Sequence, residues 1–122
     1  MQLNVLGGIL ESCCTDPLTG YFRDGFCRTD ASDIGSHTVC AIVTSEFLEF
    51  SKLAGNDLIT PRPEYSFPGL KPGDGWCVCA SRWLEALQAG KACPLKLSST
   101  HQNALQIIPL EMLMEYAQDL LS

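Results

Sequence analysis

The sequence predicts an α+β domain, a small two-layer sandwich of short helices packed on a small sheet. The prediction rests on two apolar stretches that read as strands, at residues 37–43 and 76–80, each followed at once by a helical pattern. It rests also on two loop-rich segments, the N-terminal third and residues 56–75, which separate the strand–helix units.

The elements follow in order. Asp16-Pro17-Leu18-Thr19-Gly20 and Arg23-Asp24-Gly25 are turn signals, since proline sets φ and glycine supplies positive φ. Tyr21, Phe22 and Phe26 lie between and after these turns, where aromatics pin a loop to a core. Residues 37–43 are β-branched and almost continuously apolar, which predicts a buried strand. Thr44 caps a helix over 45–53, and Gly55-Asn56 ends it. Pro61, Pro63, Pro68 and Pro72 exclude helix or central strand from 56–75 and make that loop stiff. Residues 76–80 form the second strand, and Ser81 caps a helix over 82–89 that stops at Gly90. Residues 94–97 suit an edge strand with Lys96 toward water. Ser99 and Gln102 fit a capping box opening a short helix to Leu105, and 106–108 a last strand. After Pro109 comes a helix over 110–120, with Leu110, Leu113, Met114, Ala117 and Leu121 as its apolar stripe.

At 122 residues the chain is expected to be a single domain, 1–122. Eight basic against fourteen acidic residues give a net charge of −6, which argues against nucleic acid or an anionic membrane as partner. No apolar run nears the roughly 18 residues that span a bilayer, and the run at residues 5–10 lacks the flanks of a signal peptide. Seven cysteines leave at least one unpaired in a monomer, and their spacings do not suit a secreted scaffold. The expectation is a reducing cytoplasm, with cysteines standing as thiols or metal ligands.

The chemistry-bearing residues centre on those cysteines. Cys77 and Cys79 share a strand face, and Cys40 joins them if the two strands pair. Three sulfurs plus a fourth ligand from Cys27, Cys13, Cys14, His37 or His101 would suit tetrahedral zinc. No CxxC knuckle is present, so buried thiols and a nucleophilic or redox thiol stand beside the metal reading. His101, in the first turn of a helix, would stay neutral and serve as a base, with Asp16 or Asp24 as orienter; His37, just before a strand, ranks behind it. Arg23 and Asp24 in a turn, and Arg82 at a strand–helix junction, are polar candidates for ligand binding. No phosphate-cradling glycine loop occurs.

These motifs together resemble an uncharacterised, mainly bacterial family, domain-of-unknown-function family 2237. The likeness is carried by Cys14-Thr15-Asp16-Pro17, Arg23-Asp24-Gly25, His37-Thr38-Val39-Cys40-Ala41, Thr60-Pro61-Arg62-Pro63-Glu64, Phe67-Pro68-Gly69-Leu70-Lys71-Pro72-Gly73-Asp74, Trp76-Cys77, Arg82-Trp83 and Thr100-His101. It implies a compact α+β domain and no assigned activity. It also singles out Cys27, Cys40, Cys77, Cys79 and His101, but not Cys93.

The functional expectation is a small cytoplasmic protein that binds a small ligand or a metal ion, zinc being the cofactor considered. Asp16, Arg23, Asp24, Arg82 and His101 would contact the ligand, and Cys27, Cys40, Cys77 and Cys79 the metal. The alternatives are an enzyme with a nucleophilic cysteine and His101 as base, or an interaction module whose cysteines are only core.

Overall fold

The computed structural model describes residues 2–119. Its elements are β1 (Val39–Ile42), α1 (Ser45–Leu53), β2 (Gly75–Val78), α2 (Ala80–Gln88) and α3 (Leu110–Glu115), with 3-10 turns at Pro63–Tyr65, Leu97–Ser99 and Gln102–Gln106. The fold class is α+β. β1 and β2 pair antiparallel, with Cys40 opposite Cys77 and Ala41 opposite Trp76. The outer side of β1 is also covered: Ile42 N–H donates to Pro94 O at 2.8 Å, and Lys96 N–H to Cys40 O at 3.0 Å. Residues 94–96 therefore run along β1 as predicted, although they make only the isolated bridge from Leu95 to Ala41.

Thr44 does cap α1, its Oγ1 accepting the Phe47 N–H at 3.2 Å. The cap of α2 is Cys79 rather than Ser81, and its side chain makes no capping bond. Strand and helix thus meet at one residue, with no loop between them. The predicted strand at 106–108 is instead the end of a 3-10 turn, because Ile108 N–H bonds back to Ala104 O at 2.9 Å and Pro109 has no N–H to offer a ladder. The capping box at Ser99 is replaced by His101, whose Nδ1 accepts the Asn103 N–H at 3.0 Å. α3 stops at Glu115, earlier than its apolar periodicity predicts, because the chain turns to pair with residue 95: Leu95 N–H donates to Tyr116 O and Gln118 N–H to Leu95 O. Leu120 and Leu121, at the end of the predicted helix and stripe, lie outside the described residues.

The main core packs Val39 and Val43 of the first strand–helix unit with Phe47, Trp83, Leu95, Leu97, Ile108 and Leu113, all fully buried. Each such side chain contributes roughly 1.5–3 kcal/mol through burial. Trp83 keeps its polar atom satisfied by donating to Cys93 O at 3.1 Å. Phe67 meets Trp76 edge-on, with centroids 5.1 Å apart, and so clamps the proline-stiffened loop onto β2.

A second, smaller core is made of sulfur. Cys13 is bonded to Cys40, and Cys27 to Cys77, so the N-terminal loop is stitched to both strands. This corrects, for these four residues, the expectation that the cysteines stand as thiols or metal ligands. The strand register sets Cys40 beside Cys77, and the loop carries Cys13 and Cys27 to meet them, a convergence that spacing along the chain does not reveal. Gly75 permits the approach, since a Cβ there would lie 2.9 Å from the Cys14 Cβ. Cys14, Cys79 and Cys93 remain free. No helix of the described residues is long and apolar enough to cross a membrane.

Candidate active site

Cys79 stands at the point where β2 becomes α2, extended at φ −59° and ψ 131°, and half-buried. It is the residue before the first helical turn and so lies at the positive end of the helix dipole. The segment preceding β1 closes over it, held by the Ala80 N–H donating to Ser36 O at 3.0 Å. That bond sets His37 against the thiol, with Nε2 3.3 Å from the Cys79 Sγ. On its other side the imidazole Nδ1 lies 2.6 Å from Asp33 Oδ1. An ionised carboxylate only accepts, so Nδ1 carries a proton and Nε2 is the atom that exchanges one with sulfur.

Asp33 is itself fixed. Its side chain is fully buried, and Oδ2 accepts from the Thr29 hydroxyl and from the His37 N–H, both at 2.9 Å. Gly35 supplies the room. A Cβ at that position would lie 3.0 Å from the Cys79 Sγ and 3.1 Å from the His37 Cε1. The hydrogen bond to Cys79 raises the His37 pKa from 6.5 to about 9; Asp33 adds to the rise and burial opposes it. At neutral pH the imidazole is therefore protonated beside the sulfur.

His37 also forms a wall of a cleft of about 230 Å³, together with Arg23, Leu58, Arg62 and Trp76. A smaller hollow of about 40 Å³ shares His37, Leu58 and Trp76 and reaches Cys79. Cys79 borders the smaller hollow, and His37, Leu58 and Trp76 are the walls it shares with the larger cleft.

The other anticipated residues fall elsewhere. Arg23 lines the cleft, but Asp24 is engaged with Arg28 Nε at 2.8 Å and with the Phe26 N–H. Asp16 is exposed on a separate groove beside Lys71 and Asp74. Arg82 ties α2 to the end of α1, donating to Ala54 O at 3.0 Å and to Glu85 at 3.3 Å. His101 is buried with both ring nitrogens occupied, Nδ1 by the Asn103 N–H and Nε2 by Gln2 Oε1 at 2.6 Å, and no cysteine is among its partners. Burial lowers its pKa, so it is neutral, but it stands as a cap rather than beside a thiol. Cys27, Cys40 and Cys77 are in the sulfur core; Cys77 and Cys79 both border the small hollow, and of the two only Cys79 is a free thiol.

Sequence reasoning ranked His37 behind His101 and passed over Asp33. The available signal was the four-residue spacing from Asp33 to His37 around Gly35, with a cysteine directly before a helix. Fold and site together define a small α+β protein with a thiol, an imidazole and a buried carboxylate in line. The chain belongs to the family DUF2237, uncharacterized protein conserved in bacteria, whose model matches residues 3–117. No curated protein matches it closely enough to extend that statement.

Proposed function

We propose that this protein is an enzyme that attacks an acyl carbon with the Cys79 thiolate, using His37 as proton carrier and Asp33 to orient it. The observation that carries the reading is the continuous contact from the Cys79 Sγ through His37 to a buried Asp33, with His37 also lining the larger cleft. In the first half-reaction the thiolate bonds to the acyl carbon, and the bond to the leaving group breaks. His37 gives its Nε2 proton to that leaving group. In the second half, neutral His37 takes a proton from water, the resulting hydroxide displaces the thiolate, and the acid departs. Thiolate and imidazolium are then both restored. General acid–base assistance of this kind contributes about 10²–10⁴-fold. The base in this reading is His37, not His101. The test is acylation by 4-nitrophenyl acetate followed by intact mass. One acetyl group on Cys79, lost in Cys79→Ser and slowed in His37→Ala, supports the reading; an unmodified Cys79 removes it.

A second reading keeps the metal-binding expectation alive and rests on the sulfur core. The Sγ atoms of Cys13, Cys27 and Cys77 lie within 4.8 Å of one another, and Cys40 is bonded to the first of them. In a reducing cytoplasm a dithiol would give two electrons and two protons to each disulfide. The four thiols so formed would be candidate ligands for tetrahedral zinc, which needs sulfurs roughly 3.8 Å apart, and would release protons on binding it. Cys79 lies outside this set, and Cys13 takes its place. Protein purified with reductant and without chelator should then carry one zinc per chain; metal-free protein of equal stability under the same conditions counts against it.

A further inference from the structure

The cleft beside His37 carries more positive charge than its setting requires. The chain has a net charge of −6, yet Arg23 and Arg62 both border this one hollow. Among the described residues the ion pairs join Arg28 to Asp24, His37 to Asp33, Arg82 to Glu85 and Lys91 to Glu46, so neither cleft arginine takes part in an ion pair among them. The acidic group on the rim, Asp57, is held ionised, its oxygens accepting from the N–H groups of Ile59 and Thr60 and from the Thr60 hydroxyl at 2.6 Å, so it offsets one of the two arginine charges and leaves the other.

Arg23 is also held in place. Its Nη1 donates to Gly20 O at 2.6 Å, and its guanidinium lies 5.0 Å from the centroid of the Trp76 ring. Its backbone has φ +55°, a conformation that costs a non-glycine residue of order 1 kcal/mol or more. Asparagine or glycine would relieve that cost, but neither would place a guanidinium at the cleft. Two exposed guanidinium groups lining one cleft, one of them fixed, suit an oxyanion, because each planar fork matches two acceptor oxygens. The volume, about 230 Å³, is below the range that takes drug-sized ligands, so the occupant is small.

We infer that Arg23 and Arg62 receive an oxyanion group, carboxylate or phosphate, of a small substrate whose reacting carbon is then presented to Cys79. The inference rests on the thiol-nucleophile reading for its chemistry, but the anion site can be measured without it. Cys79→Ser protein is titrated calorimetrically with glutarate, with inorganic phosphate and with neutral glutaramide. Glutarate or phosphate should bind and glutaramide should not, which also tells carboxylate from phosphate. Arg62→Gln, an exposed substitution that leaves folding intact, should weaken binding of the preferred anion at least tenfold. Arg23→Gln should do the same, with Arg23→Lys recovering part of the loss and unchanged circular dichroism excluding misfolding. Equal binding of glutarate and glutaramide, absence of binding by either anion, or unchanged affinity in both arginine variants would overturn the inference. Acylation of wild-type Cys79 by neutral 4-nitrophenyl acetate judges the nucleophile separately. Anion binding without acylation removes the enzyme reading and leaves the anion site standing, whereas acylation without anion binding does the reverse.

Discussion

Cys77 and Cys79 are two residues apart on one short piece of chain, and their surroundings differ in every respect that governs sulfur chemistry. Cys77 lies inside β2, fully enclosed, with its N–H donating to Thr19 and its sulfur bonded to Cys27. Cys79 lies past the end of the strand, half-buried, with an imidazole 3.3 Å from its sulfur and a helix beginning at the next residue. The first thiol has been turned into a structural tie; the second is left free, polarised and accessible. Reactivity follows the groups a sulfur can reach, more than the residue type or local spacing.

The most forceful way to break this contrast is to remove the reactive side. Iodoacetamide at pH 6.5 should label Cys79 first, as followed by peptide mass, and His37→Ala should slow that labelling by about a hundredfold or more. Cys93 is an internal control. Burial pushes its thiol up to about 12, so it should stay unlabelled until the protein unfolds. Slow, uniform labelling of all three free cysteines would erase the difference.

Breaking the tied side should be felt in stability instead. Cys27→Ser opens a cross-link spanning 50 residues, worth about 4 kcal/mol in the chain-entropy account. Urea unfolding without reductant should show that loss. Cys79→Ser, by contrast, should stay within about 1 kcal/mol of wild type, since it breaks no covalent tie and the serine hydroxyl can keep a hydrogen bond to His37. Comparable losses in the two variants would mean that Cys79 is structural as well.

The two histidines sharpen the comparison through pH. The folded protein holds the His37 proton more tightly than the unfolded chain does. Its contribution to stability is therefore complete below about 6.5 and lost as pH rises through about 9. His101 has the opposite sign: its pKa is lowered by burial, so its contribution is present above the ordinary histidine value and fades as acid protonates it. Imidazole resonances followed by NMR should titrate near 9 for one ring and below 6.5 for the other. In Cys79→Ala the higher value should fall, because the sulfur is the first cause of the rise.

The smallest expected effects come from the supports behind the pair. Asp33→Asn leaves the shape but loses the charge, and alkylation at pH 6.5 should slow by about tenfold. Gly35→Ala should displace Cys79 from His37 by a few tenths of an ångström, visible as a lower His37 pKa with little change in unfolding. An unchanged titration in both would mean that His37 is oriented by other contacts.

Much of the scaffold was legible because it depends on local rules. Thr44 caps α1 through a bond within three residues, and the prolines of residues 56–75 exclude regular structure whatever surrounds them. The α2 cap was misplaced because Ser81 has the better capping side chain, while the strand simply runs into the helix at Cys79. Residues 106–108 were read as a strand on β-branching, a preference outweighed by the bond from Ile108 to Ala104. Of the site, the sequence offered Cys79 and Arg23 as candidates, but it ranked His101 above His37, the histidine that lies beside Cys79. His101 looked the better base because it opens a helix, yet its two nitrogens are consumed by Asn103 and Gln2.

By itself, then, the sequence determined the fold class, the two strand–helix units, the stiff loop and an odd number of thiols. Periodicity, caps and prolines act over a few residues, and their consequences can be read where they stand. Only the tertiary structure decided which sulfur meets which partner. Cys13 reaches Cys40 across 27 residues, and His37 reaches Cys79 across 42. Both encounters depend on strand register and on a loop folding back, neither of which leaves a mark in local composition.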